Sequence, residues 1–229
     1  MIRIIAIDID GTVTFEDRKL DLTAVEAIRK AEKFGIQVSL ATGNVLTFAE
    51  AAAIMIGTSG PLIAEDGGVV FDRRTGKTYV LGDRAEADRG LAALERAFGP
   101  LRQTRSSAAR LTGITLEREI SIDRIREVLH KEGLSLAAVD SGFAIHIRDP
   151  NVNKGNALRK ISTVVGVPTT EMAAIGDGPN DMEMLQEAGI SFAVANSPEE
   201  VKRICTHVTN SSYGKGTAEA IELILNKYC

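Results

Sequence analysis

Residues 2–9 form a nearly unbroken β-branched run that halts at Asp10-Gly11-Thr12, and a helical pattern takes over behind it. Such a run suits a strand covered on both faces, and strands of that kind belong to parallel sheets flanked by helices. Val25, Ile28, Ala31 and Phe34 then recur at helical spacing, with Thr23-Ala-Val-Glu26 as a capping box and Gly35 as the stop. A second apolar run, 36–41, ends at Thr42-Gly43-Asn44. An Ala-rich helix over 47–57 and a short strand at 62–64 follow. This alternation predicts an α/β sheet.

The rhythm then changes. Residues 69–81 read as a hairpin turning on Arg73-Arg-Thr-Gly76. From 82 to 153 the pattern is helix, strand (110–116), helix (121–132) and two strands meeting at Asp140-Ser-Gly142. Two strands with no helix between them imply antiparallel pairing. From 153 the alternation resumes, with strands at 172–176 and 190–194 and a last helix over 216–227. Neither flank alone fills a doubly wound sheet. The expected architecture is therefore α/β: a doubly wound parallel-sheet (Rossmann-like) core from 1–81 and 153–229, with a small α+β domain, 82–152, inserted between its halves. Charge follows the same division. Residues 82–153 hold eleven basic and eleven acidic side chains, so the net charge of −4 falls wholly on the core. Surplus carboxylates are what a divalent cation site requires.

Composition removes several classes of function. A chain of 229 residues buries about 70% of its unfolded surface and needs no disulfide or structural metal to hold a core. The acidic balance argues against a nucleic-acid partner bound by a broad basic surface. With no Trp, seven Phe and three Tyr, stacking platforms for single strands are not expected. Cys205 and Cys229 are too few for a disulfide framework, and no Cys/His cluster has zinc-ligand spacing. The apolar start is broken by Arg3 and Asp8, and nowhere do 18 apolar residues run together. The expectation is a soluble, cytoplasmic protein with no membrane partner.

Four short segments carry chemistry. In Asp8-Ile-Asp10-Gly11-Thr12, residues i and i+2 of a strand point the same way, so both carboxylates project together at its C-terminal end. Ligands bind at that end in open α/β sheets. Two like charges so close repel unless a cation sits between them. Gly176-Asp177-Gly178-Pro179-Asn180-Asp181 follows another apolar strand, and its loop could bring Asp177 and Asp181 to one hard cation such as Mg²⁺. Thr42-Gly43-Asn44 offers a hydroxyl and loose backbone N–H groups to a phosphoryl oxygen. In Asn153-Lys154-Gly155-Asn156, a cation opens a helix, against the helix dipole unless an anion compensates. Each segment also has a plain reading: strand-end turns, an N-capping Asp, helix capping by Thr42 or Asn44, and a solvated lysine.

Together and in this order, the four segments resemble the motifs of the haloacid dehalogenase superfamily of phosphohydrolases. DxDGT is matched at Asp8 to Thr12, the second-motif Ser or Thr by Thr42, the third-motif Lys by Lys154, and GDxxxD at Gly176 to Asp181. The insert between motifs two and three and the GDGPND form resemble the Cof-type branch with its α+β cap. Asn44 stands where that branch often carries Arg. Thr-Gly-Asn, the short insert and the compact chain resemble the archaeal phosphoglycolate phosphatases within it.

The resemblance implies Asp8 as nucleophile and Asp10 as general acid and base. Thr42, Gly43, Asn44, Lys154 and Asn180 would bind substrate. Mg²⁺ would be held by the carboxylates of Asp8 and Asp177 and the main-chain carbonyl of Asp10, with Asp181 ligating directly or through water. The cap would close over the pocket. The implied partner is a small phosphate ester, 2-phosphoglycolate first, and both monomer and homodimer stay open. Alternatives are a Cof-type sugar-phosphate phosphatase and a phosphotransferase or mutase. In the insert, Arg102, Arg105 and Arg110 lie in a stretch, 101–116, without an acidic residue. One of them is expected to meet the substrate carboxylate.

Overall fold

A computed structural model describes residues 1–142 and 144–228. In chain order the first elements are β1 (Ile4–Asp8), α1 (Leu22–Lys33), β2 (Gln37–Ala41), α2 (Leu46–Ile56), β3 (Leu62–Ala64), β4 (Val69–Asp72) and β5 (Lys77–Val80). Then come α3 (Arg84–Phe98), β6 (Gly113–Leu116), α4 (Ile122–Lys131), β7 (Ala137–Asp140) and β8 (Ile145–Arg148). The last are α5 (Lys154–Val165), β9 (Met172–Gly176), α6 (Met182–Glu187), β10 (Ile190–Ala193), α7 (Glu199–Ile204), β11 (His207–Val208) and α8 (Tyr213–Lys227). Two units result: Met1–Tyr79 together with Asn153–Cys229, and Val80–Val152.

The first unit is built on an eight-stranded sheet of order β11-β10-β9-β1-β2-β3-β4-β5. From β11 to β3 every pairing is parallel, and β4 runs antiparallel to β3. The chain winds outward from β1 through β2 and β3 on one side, and from β9 through β10 and β11 on the other. The direction of winding thus switches between β1 and β9, where such sheets open a crevice at the strands' C-terminal ends. Ile4, Ile5, Ala6 and Ile7 are all fully buried. Ile5 and Ile7 pack with Val25 and Ile28 of α1, Ala49 and Ala53 of α2, and Ile221 and Ile224 of α8. Because both faces are covered, β1 shows a continuous apolar run instead of alternation.

Several boundaries differ from the sequence reading. α1 is capped by Asp21, whose side chain accepts from the Thr23 backbone N–H at 2.9 Å. The Thr23 capping box is not used, since Asp21, two residues earlier, fills the same need and is the better cap. Phe34, the last residue at that helical spacing, is the C-cap and 67% exposed. β6 begins at Gly113, later than expected, because Ser107–Ala109 closes into a single 3₁₀ turn. β11 is a two-residue edge strand, too short for any periodic signal.

The second unit has a three-stranded antiparallel sheet, β6-β8-β7. Its own core joins Ala87 and Leu94 of α3 and Ile125 and Leu129 of α4 to Ile114, Leu116, Ala138, Ile145 and Ile147 of the sheet. Among the described residues, no helix is long and apolar enough to cross a membrane. Cys205 is a free thiol, and Cys229 lies outside the described residues.

Candidate active site

Asp8 is the last residue of β1 and only 4% exposed. Lys154, which opens α5, is completely buried, and its Nζ donates at 2.5 Å to Asp8 Oδ1 and at 2.5 Å to Asp181 Oδ1. That removes the solvated-lysine reading. A buried ammonium at a helix N-terminus is unfavourable on two counts, desolvation and the dipole, and here two carboxylates answer both. Burial opposes the charged form of Lys154, but Asp181 and Asp8 outweigh it and hold the pKa above the usual lysine range. Asp8 also moves up, which for a carboxyl favours the neutral form. Burial, then the Asp181 charge, lift its carboxyl well above the ordinary range against the pull of Lys154.

Asp181 also organises the loop behind β9. Its Oδ2 accepts from the backbone N–H groups of Asp177 at 3.1 Å and Gly178 at 3.0 Å. Asp177 receives the Thr12 hydroxyl at 3.0 Å. Burial pushes Asp177 up to about 7, with Asp181 adding to the rise. Gly11 has φ +86, and a Cβ there would strike the Asp177 carboxylate, so the turn after Asp10 tolerates only glycine. Carboxylate oxygens of Asp8, Asp177 and Asp181 all lie within 4.8 Å of one another. Three carboxyl groups crowd one ammonium, and an all-oxygen donor set suits a hard divalent cation, whose charge would favour their ionised forms.

Asp10 is held differently. Its Oδ1 accepts from Arg18 Nε at 2.8 Å and its Oδ2 from Asn44 Nδ2 at 3.0 Å. The buried Thr42 hydroxyl accepts from both the backbone N–H and the Nδ2 of Asn44, each at 3.1 Å. The N-cap of α2 is Val45, with no side-chain capping bond. Thr42 and Asn44 therefore shape the strand-end loop and do not cap the helix.

The segment after β3 closes that loop. Glu65 and Asp66 are buried and both left-handed, at φ 54° and 57°. Their backbone N–H groups donate to the Asn44 and Thr42 carbonyls at 2.8 and 3.1 Å. Gly67, at φ +102, lies so close to the Asn153 carbonyl that a Cβ would collide with it. One short turn thus braces the Thr42 loop on one side and the start of the Lys154 helix on the other.

The sequence over residues 5–88 and 102–221 matches the family described as haloacid dehalogenase-like hydrolase. The chain belongs to that family. A relative called phosphoglycolate phosphatase in Methanothermobacter thermautotrophicus is 40% identical over 96% of this hydrolase and 97% of its own length. One of the same name in Archaeoglobus fulgidus is 40% identical over 96% of each chain. Among solved structures, Thermoplasma acidophilum 0175 superimposes with a TM-score of 0.88 at 29% identity, covering 97% of each chain.

In this hydrolase the structure gathers Asp8, Lys154, Asp177 and Asp181 in one cluster, and links Asp10, Thr42 and Asn44 in a second. Asn180 lies half-buried in the 179–181 turn, and no described hydrogen bond ties it to Asp8. Arg102 is ion-paired at 2.7 Å with Glu119, an acidic residue just beyond the 101–116 stretch. Arg110 is buried. Five residues take part that the sequence did not single out in these roles: Arg18, Thr12 as the partner of Asp177, Glu65, Asp66 and Asn196. Asn196 Nδ2 donates to the Gly11 carbonyl at 3.0 Å. Asn196 and Glu65 both sit just past the C-terminal end of an apolar strand, the same signal that marked Asp10 and Asp177. Arg18 had none, since a turn arginine looks like any solvated residue.

Proposed function

We propose that this hydrolase cleaves 2-phosphoglycolate to glycolate and phosphate through an aspartyl-phosphate on Asp8. The observation that carries the reaction is the buried Asp8–Lys154–Asp181 triad with Asp10 two residues along the chain. The substrate rests on the near full-length likeness to relatives called phosphoglycolate phosphatase.

Asp8 attacks phosphorus in line, and the bond to the leaving oxygen breaks. Asp10 gives its proton to the departing alkoxide. It then takes one from the water that attacks the aspartyl-phosphate, releasing phosphate and restoring Asp8. Lys154 offsets negative charge beside the nucleophile, while the Thr42 hydroxyl and the Gly43 and Asn44 loop donate to phosphoryl oxygens. Asn180, in the loop after β9, would bind the same phosphate. The carboxylates of Asp8 and Asp177 and the Asp10 carbonyl would hold Mg²⁺, which when bound supplies positive charge against the phosphoryl oxygens. Both oxygens of Asp181 are already engaged, which favours the indirect of its two roles. Residues 82–152 act as the cap domain.

A kinetic panel tests the proposal. Phosphoglycolate is expected to show a higher kcat/KM than glucose 6-phosphate or a nucleoside monophosphate. A preference for hexose phosphates would replace this reading with a Cof-type sugar-phosphatase.

A further inference from the structure

The loop after β10 reaches the loops of Asp10 and Asp177 from an unexpected distance, because β9 lies between β10 and β1 in the sheet. From that loop the Asn196 side chain crosses to the turn after β1. Its Nδ2 donates to the Gly11 carbonyl at 3.0 Å and lies 3.5 Å from Asp177 Oδ2. Its Oδ1 accepts from the Tyr213 backbone N–H at 2.8 Å. A backbone N–H only donates, so the amide oxygen must face Tyr213 and the amide protons must face Gly11 and Asp177.

The start of α8 holds this arrangement in place. Tyr213 has φ 55°, a left-handed backbone that is an outlier for so bulky a residue, and strain of this kind concentrates at functional sites. Here it presents the N–H that orients Asn196. One turn on, the Thr217 hydroxyl donates to the Thr12 carbonyl at 2.8 Å, and the Thr12 hydroxyl donates to Asp177 Oδ1. Asp177 thus has an outer donor beside each oxygen, Thr12 on one and Asn196 on the other. Asn196 also grips the main chain at the carbonyl that follows that of Asp10.

We propose that Asn196 is a positioning residue: it fixes the spacing between the Asp10 carbonyl and the Asp177 carboxylate, and so fits the site to Mg²⁺ over a larger cation. The inference rests on the cation ligands proposed above. Those ligands come from two separate strand ends, packed so closely that a Cβ on Gly11 would strike Asp177. Mg²⁺ demands near-ideal octahedral geometry with short bonds, whereas Ca²⁺ accepts longer bonds and irregular shells. A tie between the two loops therefore matters more to the smaller ion. Outer partners of metal ligands are worth about 10- to 100-fold in affinity.

Calorimetry of Mg²⁺ and Ca²⁺ binding is compared in wild type, Asn196→Ala and Asn196→Asp, with melting in EDTA to establish that each is folded at the titration temperature. In the Ala variant Mg²⁺ affinity is expected to fall by about 10- to 100-fold, and Ca²⁺ affinity by much less. Asn196→Asp keeps the shape and carries the test if the Ala variant unfolds. Its added charge attracts both ions, but an ionised Asp has no proton for the Gly11 carbonyl. Affinity for Mg²⁺ relative to Ca²⁺ should therefore still fall. A ratio of the two affinities that stays at its wild-type value in the folded variants overturns the role of Asn196 and leaves the cation site standing. That holds whether both ions bind as before or weaken equally, since Asn196 would then only hold the fold. Wild type that binds neither ion defeats the cation site, and this inference with it.

Discussion

Lys154 shows what one buried charge does to its neighbours. Its ammonium is the shared partner of Asp8 and Asp181, so Lys154→Ala leaves two buried carboxylates uncompensated. Breaking a buried pair in this way costs about 3–5 kcal/mol. Urea unfolding at neutral pH should show a loss of that order, together with loss of turnover. Asp8→Asn should stay folded, since the shape is kept, yet release no phosphate; near-wild-type release by a folded variant would overturn covalent catalysis at Asp8. Asp10→Asn should lose about 10²–10⁴-fold on an alkyl phosphate, the worth of general acid–base help. It should lose less in the transfer step from para-nitrophenyl phosphate, whose leaving group needs little acid. Equal losses in every step would defeat the role given to Asp10.

Asp177 sets a pH dependence whose sign follows from its position. Burial pushes its carboxyl up to about 7, so below that pH the metal-free site holds a proton where a cation would bind. Cation and proton compete. Apparent Mg²⁺ affinity should fall as pH drops through 7, because Asp177 must give up its proton to bind. Calorimetry in two buffers at pH 6 should find proton release on binding. Affinity that is flat from pH 6 to 8 would show that Asp177 is not a ligand. The paired Asp residues were legible in the sequence because strand periodicity alone fixes where i and i+2 point. Arg18 was not, because its role depends on a backbone turn that no side-chain pattern announces.

At the scale of elements, the turn after β3 connects what the strands only place. Gly67 touches the Asn153 carbonyl, next to Lys154, while Glu65 and Asp66 hold the Thr42 loop. Gly67→Ala combines a collision with a left-handed backbone, and strain of that kind costs about 1–3 kcal/mol. Lower thermal stability and a reduced kcat are expected together, since moving the start of α5 moves Lys154. A variant as stable and active as wild type would show that the turn braces nothing. The strands themselves were readable from apolar runs ending in glycine and aspartate. What was misread lay at the ends: Asp21 took the cap given to Thr23, and β11 is held by its neighbour's backbone more than by its own residues. Local patterns name elements well and their termini poorly, because several nearby side chains can satisfy the same end groups.

For the whole molecule, the break in strand–helix rhythm and the neutral charge of residues 82–153 told of an inserted unit, and the structure divides the chain at Tyr79/Val80 and Val152/Asn153. Physical pattern reached the layout of the sheet because parallel strands leave an unmistakable composition. It did not reach the substrate, which depends on a few side chains with no period. Cation binding belongs to this scale too, since it favours the folded chain over the unfolded one. At a hundredfold excess over its dissociation constant, Mg²⁺ should add about 2.7 kcal/mol to stability. A melting temperature unmoved by Mg²⁺ or by chelation would speak against the carboxylate cluster as its site.

The central place of β1 also has a consequence for how the chain is made. One edge of β1 pairs with β2, a short way along the chain, but the other waits for β9, which begins at Met172. At about 5–20 residues per second of synthesis, that edge stands open for roughly ten to thirty seconds after β1 is made. An apolar strand with a free edge is a template for pairing with the wrong chain. The arrangement that brings Asp8 and Asp177 together therefore makes the nascent protein depend on late, distant contacts, the slow kind to form.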